Sequence, residues 1–459
     1  MLTYELKKSP GVPLYEALYR CIREDILTGR LAPDTKLPSK RALAAHLEVS
    51  KVTVEGAYSQ LLAEGYLRSE EKVGYFVEDN HRQHPPAPAP ALHPQSLPCW
   101  ALDLTVNTPA DGFPFSVWMR LQRQVMLDYG SRLLAPLPIQ GCPELRQAIA
   151  EHLLQFRGMA ANPENILIGA GTDFLYNLLI QLLGRDKIYA VEDPGYHKIR
   201  KIYAAGGVEC VSAPMDIQGV LPEALGSAQV LHCSPSHHFP TGIVTPAARR
   251  RQLLDWAAAA PERYIIEDDY DSEFRFHSHP VPALVTMDHM ERVIYMNTFS
   301  KTLAPSIRIS YMILPTPLMA VFRERLGFYS CTVPSFEQYT LARFLSGGWF
   351  EKHLNRMRKS YRTRRNRIIE ILEQSPLAGR ITILEQDAGL HFLLRLDTDK
   401  SDAQLKSLCA AAGIRVNTLS DYYQDQVPPW AEKCLVINYS SLREEQLRDV
   451  LSQPVFTQS

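Results

Sequence analysis

Val293-Ile294-Tyr295-Met296-Asn297-Thr298-Phe299-Ser300-Lys301 is a short apolar run that ends on hydroxyl side chains and one lysine. A run of this length and composition, followed by polar residues, reads as a buried strand with a functional end. Four more segments repeat it: Asn165-Ile166-Leu167-Ile168-Gly169, Ile188-Tyr189-Ala190-Val191-Glu192, Val230-Leu231-His232-Cys233 and Tyr264-Ile265-Ile266-Glu267. Helix-length segments separate them, among them the apolar run from Phe174 to Leu183. The alternation predicts an α/β body, a mostly parallel sheet covered by helices. Ligands gather at the carboxyl ends of such strands, where the polar residues of this chain also cluster.

The chain has 459 residues, 46% hydrophobic and 22% charged, with a formal net charge of -1. No global field drives it onto nucleic acid, so any such contact needs a local cluster. No apolar run approaches bilayer-spanning length. The start, Met1-Leu2-Thr3-Tyr4-Glu5-Leu6-Lys7-Lys8, lacks a signal-peptide apolar stretch. Eight scattered cysteines include no Cys-x-x-Cys pair, so neither a metal site nor dithiol chemistry is expected. They read as small buried hydrophobes in a reducing, cytoplasmic compartment.

From 81 to 98 the sequence is HRQHPPAPAPALHPQSLP, with six prolines. This composition excludes a helix or a central strand. It predicts a semi-stiff spacer reaching roughly 50 Å at about 3 Å per residue. The expected organisation is a module at 1–79, a linker at 80–100 and a body at 101–459. A smaller α+β subdomain is expected from about 346, opening on a basic helix from Lys352 to Gln374 and including Gly389–Leu394 and Leu435–Tyr439.

In the first module, Pro13 precedes a helix with Leu14, Leu18, Cys21, Ile22 and Ile26 at helical spacing, ended by Gly29. Ser39 caps a second helix with Leu43, Ala44 and Leu47 inside. After the turn Glu48-Val49-Ser50, a third helix runs from about Lys51 to Glu64, with Val54, Ala57, Tyr58, Leu61 and Leu62 inside. A hairpin follows from Leu67 to Val77, with Gly74 near its tip. This is the pattern of a winged helix-turn-helix that reads double-stranded DNA as dimeric half-sites. Ser50, Lys51, Thr53 and Val54 are expected nearest the bases and phosphates, Lys40 and Arg41 on phosphate from the second helix, and Gly74 at the wing.

Lys301 is the candidate Schiff-base residue, because an amine at a strand end captures an aldehyde. Arg308 lies seven residues on, where an anion clamp is wanted. Thr298 and Ser300 add hydroxyls, and the strand–helix turn carrying Gly171 and Thr172 offers backbone N–H groups to a phosphate. Asp268 suits the protonated nitrogen of a pyridine ring, and Tyr270 its phenolic oxygen. Tyr196, in Asp193-Pro194-Gly195-Tyr196-His197, is placed to stack on the ring face. Together they point to pyridoxal 5'-phosphate.

The strings Leu37-Pro38-Ser39-Lys40-Arg41-Ala42-Leu43-Ala44 and Val49-Ser50-Lys51-Val52-Thr53-Val54 resemble the GntR regulators. The body resembles the fold type I aminotransferases. The combination is similar to the MocR group, through Glu267-Asp268-Asp269-Tyr270-Asp271-Ser272-Glu273-Phe274, Pro235-Ser236-His237-His238-Phe239-Pro240-Thr241-Gly242, Thr298-Phe299-Ser300-Lys301, Ala388-Gly389-Leu390-His391 and Leu419-Ser420-Asp421-Tyr422-Tyr423. The resemblance implies a head-to-tail homodimer holding the cofactor as an internal aldimine on Lys301.

There are four departures. Lys51 stands where the GntR family usually has arginine, which keeps the charge but loses bidentate guanine reading, and Gly74-Tyr75 stands where that family often has Gly-Thr at the wing. Phe239 stands where aminotransferases place an asparagine, with His237 as the compensating group. Val436 stands where aminotransferases carry the arginine that grips the substrate carboxylate, so orientation for turnover suffers. Lys198, Arg200 and Arg415 are other candidate cations, or surface charge. The expected function is a regulator that senses the cofactor itself or an amine or amino acid forming an external aldimine. The alternatives are a working aminotransferase with an appended interaction module, and a cofactor-free structural descendant.

Overall fold

Two serines set the helix starts of the N-terminal unit. The Ser39 hydroxyl accepts the Ala42 N–H at 3.2 Å and the Ser50 hydroxyl accepts the Thr53 N–H at 3.1 Å, satisfying donors that a first helical turn leaves open. Helix α1 is Leu14–Leu27, α2 Lys40–His46 and α3 Lys51–Ala63. Gly29, at φ +78, lets the chain leave α1 through the left-handed region. Strands β1 (Leu67–Glu70) and β2 (Gly74–Val77) pair antiparallel as a wing. Leu18, Ile22, Leu43, Val54, Ala57, Tyr58 and Leu61 are fully buried between these elements.

Val54 was expected both inside α3 and among the residues nearest the bases, and the structure decides for the inside. Val54 is in this core at 0% exposure, while Val52 is 76% exposed. The 3.6-residue period puts 54, 57, 58 and 61 on the inward stripe of α3, leaving Ser50, Lys51 and Val52 to face outward.

The structure, a computed structural model, describes residues 2–4, 6, 13–79, 100–106, 112–275, 281–385 and 389–452. The chain divides into two compact units, Met1–Pro98 and Cys99–Ser459. The proline-rich run 81–98, expected as the spacer, and Ala388 lie outside the described residues.

The second unit begins with β3 (Leu102–Asp103) and is built on an eight-stranded sheet. Its strands are β4 (Ile166–Gly169), β5 (Ile188–Asp193), β6 (Glu209–Asp216), β7 (Gly219–Val220), β8 (Val230–Cys233), β9 (Tyr264–Asp268), β10 (Val293–Thr298) and β11 (Ser310–Ile313), in the order β4-β11-β10-β9-β8-β5-β6-β7. β11 runs antiparallel between β10 and β4, and β7 closes the far edge antiparallel to β6. Side chains of β10 alternate between two cores: Tyr295 joins one apolar cluster, and Ile294 and Met296 the other. With both faces covered, the strand reads as a continuous apolar run.

A four-stranded antiparallel sheet forms the smaller part: β12 (Ile381–Leu384), β13 (His391–Leu396), β15 (Asn417–Thr418) and β16 (Cys434–Asn438), in the order β12-β13-β16-β15. The helix Trp349–Glu373 packs its Met357, Tyr361, Ile368 and Leu372 into the same cluster as Phe392 and Ile437. Leu102 and Leu104 also join that cluster, and β3 pairs parallel with β14 (Ile414–Arg415). The opening strand of the body thus belongs with its C-terminal part.

Replacing Ser50 by Ala removes the α3 cap and should destabilise the N-terminal unit by about 1 kcal/mol. Hydrogen exchange on the full chain should show faster exchange at amides 51–53 before any change elsewhere; unchanged protection there counts against the cap.

Candidate functional site

The register of the large sheet places the candidate residues along one edge. Gly169 at the end of β4 pairs with Ser310, and Ser310 pairs with Thr298 at the end of β10. Asp268, the last residue of β9, pairs with Met296. β8 leads into Ser234–His238 and β5 into Asp193–Tyr196, so five strands deliver polar side chains to one rim.

Two turns meet at its anion-binding end. Gly171 precedes the helix Thr172–Leu183 at φ +89. A Cβ there would lie 2.0 Å from Arg308 Nη2, so any other residue would be strained at this φ and would displace the guanidinium. Arg308, itself at φ +50, donates from Nη2 to Ala170 O at 3.4 Å and stands 3.6 Å from Asp173. Lys198 reaches the same carboxylate at 2.6 Å, so this candidate cation lies beside the cradle. Arg200 instead bonds Cys210 O and Ser212, and exposed Arg415 pairs with Asp103.

Thr298 and Ser300 shape the turn after β10. Thr298 Oγ1 accepts the Ser300 N–H at 3.1 Å and the Ser310 hydroxyl at 2.8 Å. Lys301 follows, partly buried, and burial holds its ammonium below the ordinary lysine range against the opposing pull of Asp271. A lysine held this way spends more time as the neutral nucleophile.

Asp268 is 5% exposed. Its Oδ2 accepts the Tyr176 hydroxyl at 2.5 Å with His232 Nε2 at 3.5 Å, while Oδ1 finds no donor among the described residues. An open carboxylate oxygen on a buried strand end is what a protonated ring nitrogen requires. Tyr176 and His232 were missed from the sequence. Tyr176 did carry a signal, since it lies four residues after Thr172 on the same helix face.

His237, 2% exposed, donates from Nδ1 to Asp271 at 2.9 Å, and the Tyr270 hydroxyl stands 3.3 Å from the same nitrogen. The carboxylate takes the Nδ1 proton, and Nε2 has no partner among the described residues. Gly389 makes room for the ring: a Cβ there would meet His237 Cε1 at 1.8 Å. Tyr196 is 49% exposed and meets the edge of Phe239 with centroids 5.9 Å apart. The lysine, both turns, Asp268, Tyr270 and His237 therefore share one rim, and the donor set suits pyridoxal phosphate: Asp268 Oδ1 for the ring nitrogen, amides and Arg308 for the phosphate, Lys301 for the aldehyde.

The acid run holds a further residue that the sequence reading passed over. Asp269 pairs with Arg157 at 2.8 Å, with side chains 0% and 5% exposed, and accepts the Tyr295 hydroxyl at 2.7 Å and the Ser272 hydroxyl at 2.8 Å. Burial pushes its carboxyl up, but Arg157 and these hydroxyls outweigh that and hold it below the usual range. Asp269 thus anchors the turn between the two ring-facing residues. At the end of β5, Glu192 takes the Ser234 N–H on both oxygens, and burial raises its carboxyl to about 8.

In the N-terminal unit, Arg41 and Lys51 are exposed, Ser50 caps α3, and Thr53 Oγ1 lies 2.8 Å from Ser50 Oγ. Lys40 is engaged within the unit, 2.9 Å from Glu55 and over the Tyr75 ring at 5.3 Å. Gly74 opens β2 at φ +143, where a Cβ would press on the Lys36 chain at 3.2 Å. Arg41 and Lys51 are therefore more open to solvent than Lys40.

Residues 101–453 match the model of aminotransferase class I and II, and residues 14–77 match that of the bacterial regulatory proteins of the gntR family. The chain is 37% identical over 455 residues to the uncharacterized HTH-type transcriptional regulator YdeL of Bacillus subtilis (strain 168), covering 98% of this chain and 97% of that one. It is 31% identical over 469 residues to the probable rhizopine catabolism regulatory protein MocR of Rhizobium meliloti, covering 97% and 93%. Among solved structures it is similar in fold to the kynurenine aminotransferase of Pyrococcus horikoshii, with a TM-score of 0.67 at 22% identity, over 76% of this chain and 88% of that one.

Asp269→Ala strands a buried guanidinium, which costs about 3–5 kcal/mol. Urea unfolding of the second unit should register that loss, and the double change Arg157→Met with Asp269→Leu should recover most of it; a loss under about 1 kcal/mol argues against the anchor. Glu192 has an ordinary pKa of 4.5 and is raised to about 8 in the fold, so the folded state binds the extra proton. Its contribution to stability is full below 4.5 and is lost as pH rises through 8. Glu192→Gln should flatten the fall in Tm across that window; an unchanged slope would contradict the assignment.

Proposed function

This chain belongs to the gntR-headed transcription regulators with an aminotransferase class I and II body, the MocR type, and on that premise we propose that it binds pyridoxal 5'-phosphate at Lys301 and uses the site to sense rather than to turn over. The observation that carries this is a lysine whose charge is suppressed by burial, on the same rim as Asp268 Oδ1, which has no donor among the described residues, and the Gly171–Arg308 cradle. When bound, the cofactor supplies an electrophilic aldehyde and a visible chromophore.

The chain's own groups divide the work. Asp268 accepts the ring N–H, backed by Tyr176. The Thr172 amide with Arg308 and Ser300 binds the phosphate, Gly171, whose own N–H donates to Gly169 O at 2.8 Å, makes room for the guanidinium, and Thr298 braces the Ser300 turn. Tyr270 and His237 serve the ring oxygen, and Tyr196 covers a ring face. Lys301 Nζ is the point of exchange: the effector, the cofactor itself or an amine competing with that lysine for the aldehyde, changes what Lys301 is bound to. An effector that favours one packing of the small sheet shifts the population of that packing.

The DNA-facing groups are Ser50, Lys51 and Thr53 on α3, Arg41 on α2 and the wing at Gly74. Recognition as paired half-sites calls for a homodimer. Val436, fully buried among Leu393, Leu419 and Tyr422, favours sensing over transamination.

Wild-type protein should become coloured on titration with pyridoxal phosphate, and borohydride should fix one adduct on Lys301. Lys301→Ala should give no adduct. Because burial lowers the lysine pKa, uptake should rise with pH and level off below the range of a free lysine. In gel shifts on DNA flanking its own coding region, Lys51→Glu should abolish retardation. Absence of any shift at low salt, with or without cofactor, overturns the regulatory reading, and sustained keto-acid production overturns the sensing one.

A further inference from the structure

The outward stripe of α3 opens on a residue that the fold does not call for. Val52 is 76% exposed, the most exposed large apolar side chain described in the N-terminal unit, where Tyr15 is at 40% and Val73 at 49%. It stands outside the apolar cluster that Val54, Ala57 and Leu61 help to build. A β-branched residue is also a weaker helix former than alanine or leucine, so neither packing nor propensity accounts for valine here. One apolar side chain on a surface is ordinary; the place of this one on the helix is not.

In a helix-turn-helix the first residues of the second helix meet the base edges. Here those are Ser50 to Val54. Val54 is turned into the core. Ser50 and Thr53 are engaged with one another: their hydroxyl oxygens lie 2.8 Å apart, and Ser50 Oγ also accepts the Thr53 N–H at 3.1 Å. Lys51 and Val52 stand exposed beside them. Lys51 brings a point charge, which suits phosphate better than a base edge. Val52 brings two methyl groups. A helix holds a valine side chain almost wholly in one rotamer, so those methyls point in a fixed direction before DNA arrives. Further along the same stripe Glu55, Ser59 and Ala63 are exposed. None is bulky, and Glu55 is drawn to Lys40 at 2.9 Å, so this face of α3 is free to lie close to a groove floor.

The major groove offers one methyl group, that on C5 of thymine. We infer that Val52 selects a thymine: its methyls pack on the C5-methyl of one thymine in each half-site. A cytosine in that place turns an amine N–H toward the valine and strips its water without replacing it. Arg41 and Lys51 hold phosphate, which sets register and carries no sequence information; Val52 supplies a base preference. This rests on the DNA-binding reading above and names a base that the same face chooses.

The test uses the full chain and the DNA flanking its coding region, made once with thymine and once with uracil throughout. Uracil keeps the pairing and the O4 acceptor of thymine and lacks only the methyl. In gel shifts at one salt concentration, wild-type protein should bind the uracil DNA about fourfold more weakly for each half-site, roughly 15-fold for a pair. Single thymine-to-uracil changes across the footprint should place that loss at one position in each half-site. Val52→Ala should bind the thymine DNA more weakly and lose most of its discrimination between the two DNAs. Equal binding of both DNAs by the wild type overturns the inference. So does a uracil penalty that Val52→Ala leaves undiminished, because that penalty belongs to DNA shape or to another side chain. Retardation of neither DNA at low salt overturns the DNA-binding reading, and this inference with it, so the two failures are told apart. The variant puts a better helix former at an exposed position, and its thermal unfolding should match the wild type. If it does not, the single uracil changes read with wild-type protein decide the matter: loss at no one position in a half-site overturns the inference.

Discussion

A carboxylate buried without a cation is too costly to keep, and the turn after β9 is built around that constraint. Asp269 is fully buried and ionised because Arg157 reaches it. With Asp269 held inward, the pleat sends its neighbour Asp268 the other way, toward the rim. The acids around them each have a separate partner. Glu267 takes the N–H groups of Leu284 and Val285, Asp271 takes His237, and Glu273 takes Asn297. A run of acids that looks like a solvated turn is instead a set of anchors, and among those that keep an oxygen open, Asp268 is the one at the strand end on the rim.

Strand order turns those anchors into a site. β10 lies next to β9, and β11 carries Ser310 between Thr298 and Gly169. The lysine turn, the acid turn and the glycine turn therefore meet although more than a hundred residues separate the first from the last. Groups held on strand ends and helix starts need little ordering when a ligand arrives, which favours tight and selective binding. The small sheet adds His391 through its bond to Pro240 O. A loop from it also latches onto the end of β5, where Asp193 accepts the Gln424 N–H and Gly195 N–H donates to Tyr422 O. Tyr196 belongs to that latched turn, so the side chain proposed for the ring face is tied to the position of the small sheet.

Much of this was legible in the residues. Alternation of apolar runs with helix-length segments gave the parallel sheet, because a sheet covered on both faces leaves apolar strands. Ser39 and Ser50 announced α2 and α3, because few side chains can cap a first turn. Lys301, Asp268, Arg308 and Gly171 could be read from residue type at strand ends, and the family matches agree with the class of protein those residues suggested. Val54 had two readings, inside by helical period and near the bases by its place at the helix start, and packing decided for the period.

What only the tertiary structure decided are pairings between distant residues. Nothing near Asp269 in sequence points to Arg157, since the ion pair exists only where the helix Pro143–Arg157 ends beside β9. Tyr176 and His232 meet at Asp268 through packing, and Lys40 meets Glu55 across two helices. The opening strand at Leu102 joins the C-terminal sheet through β14, which no local pattern encodes. Periodicity and turn chemistry act over a few residues and can be read along the chain; charge pairing, hydrogen-bond completion and sheet register act through space and appear only once the chain is folded.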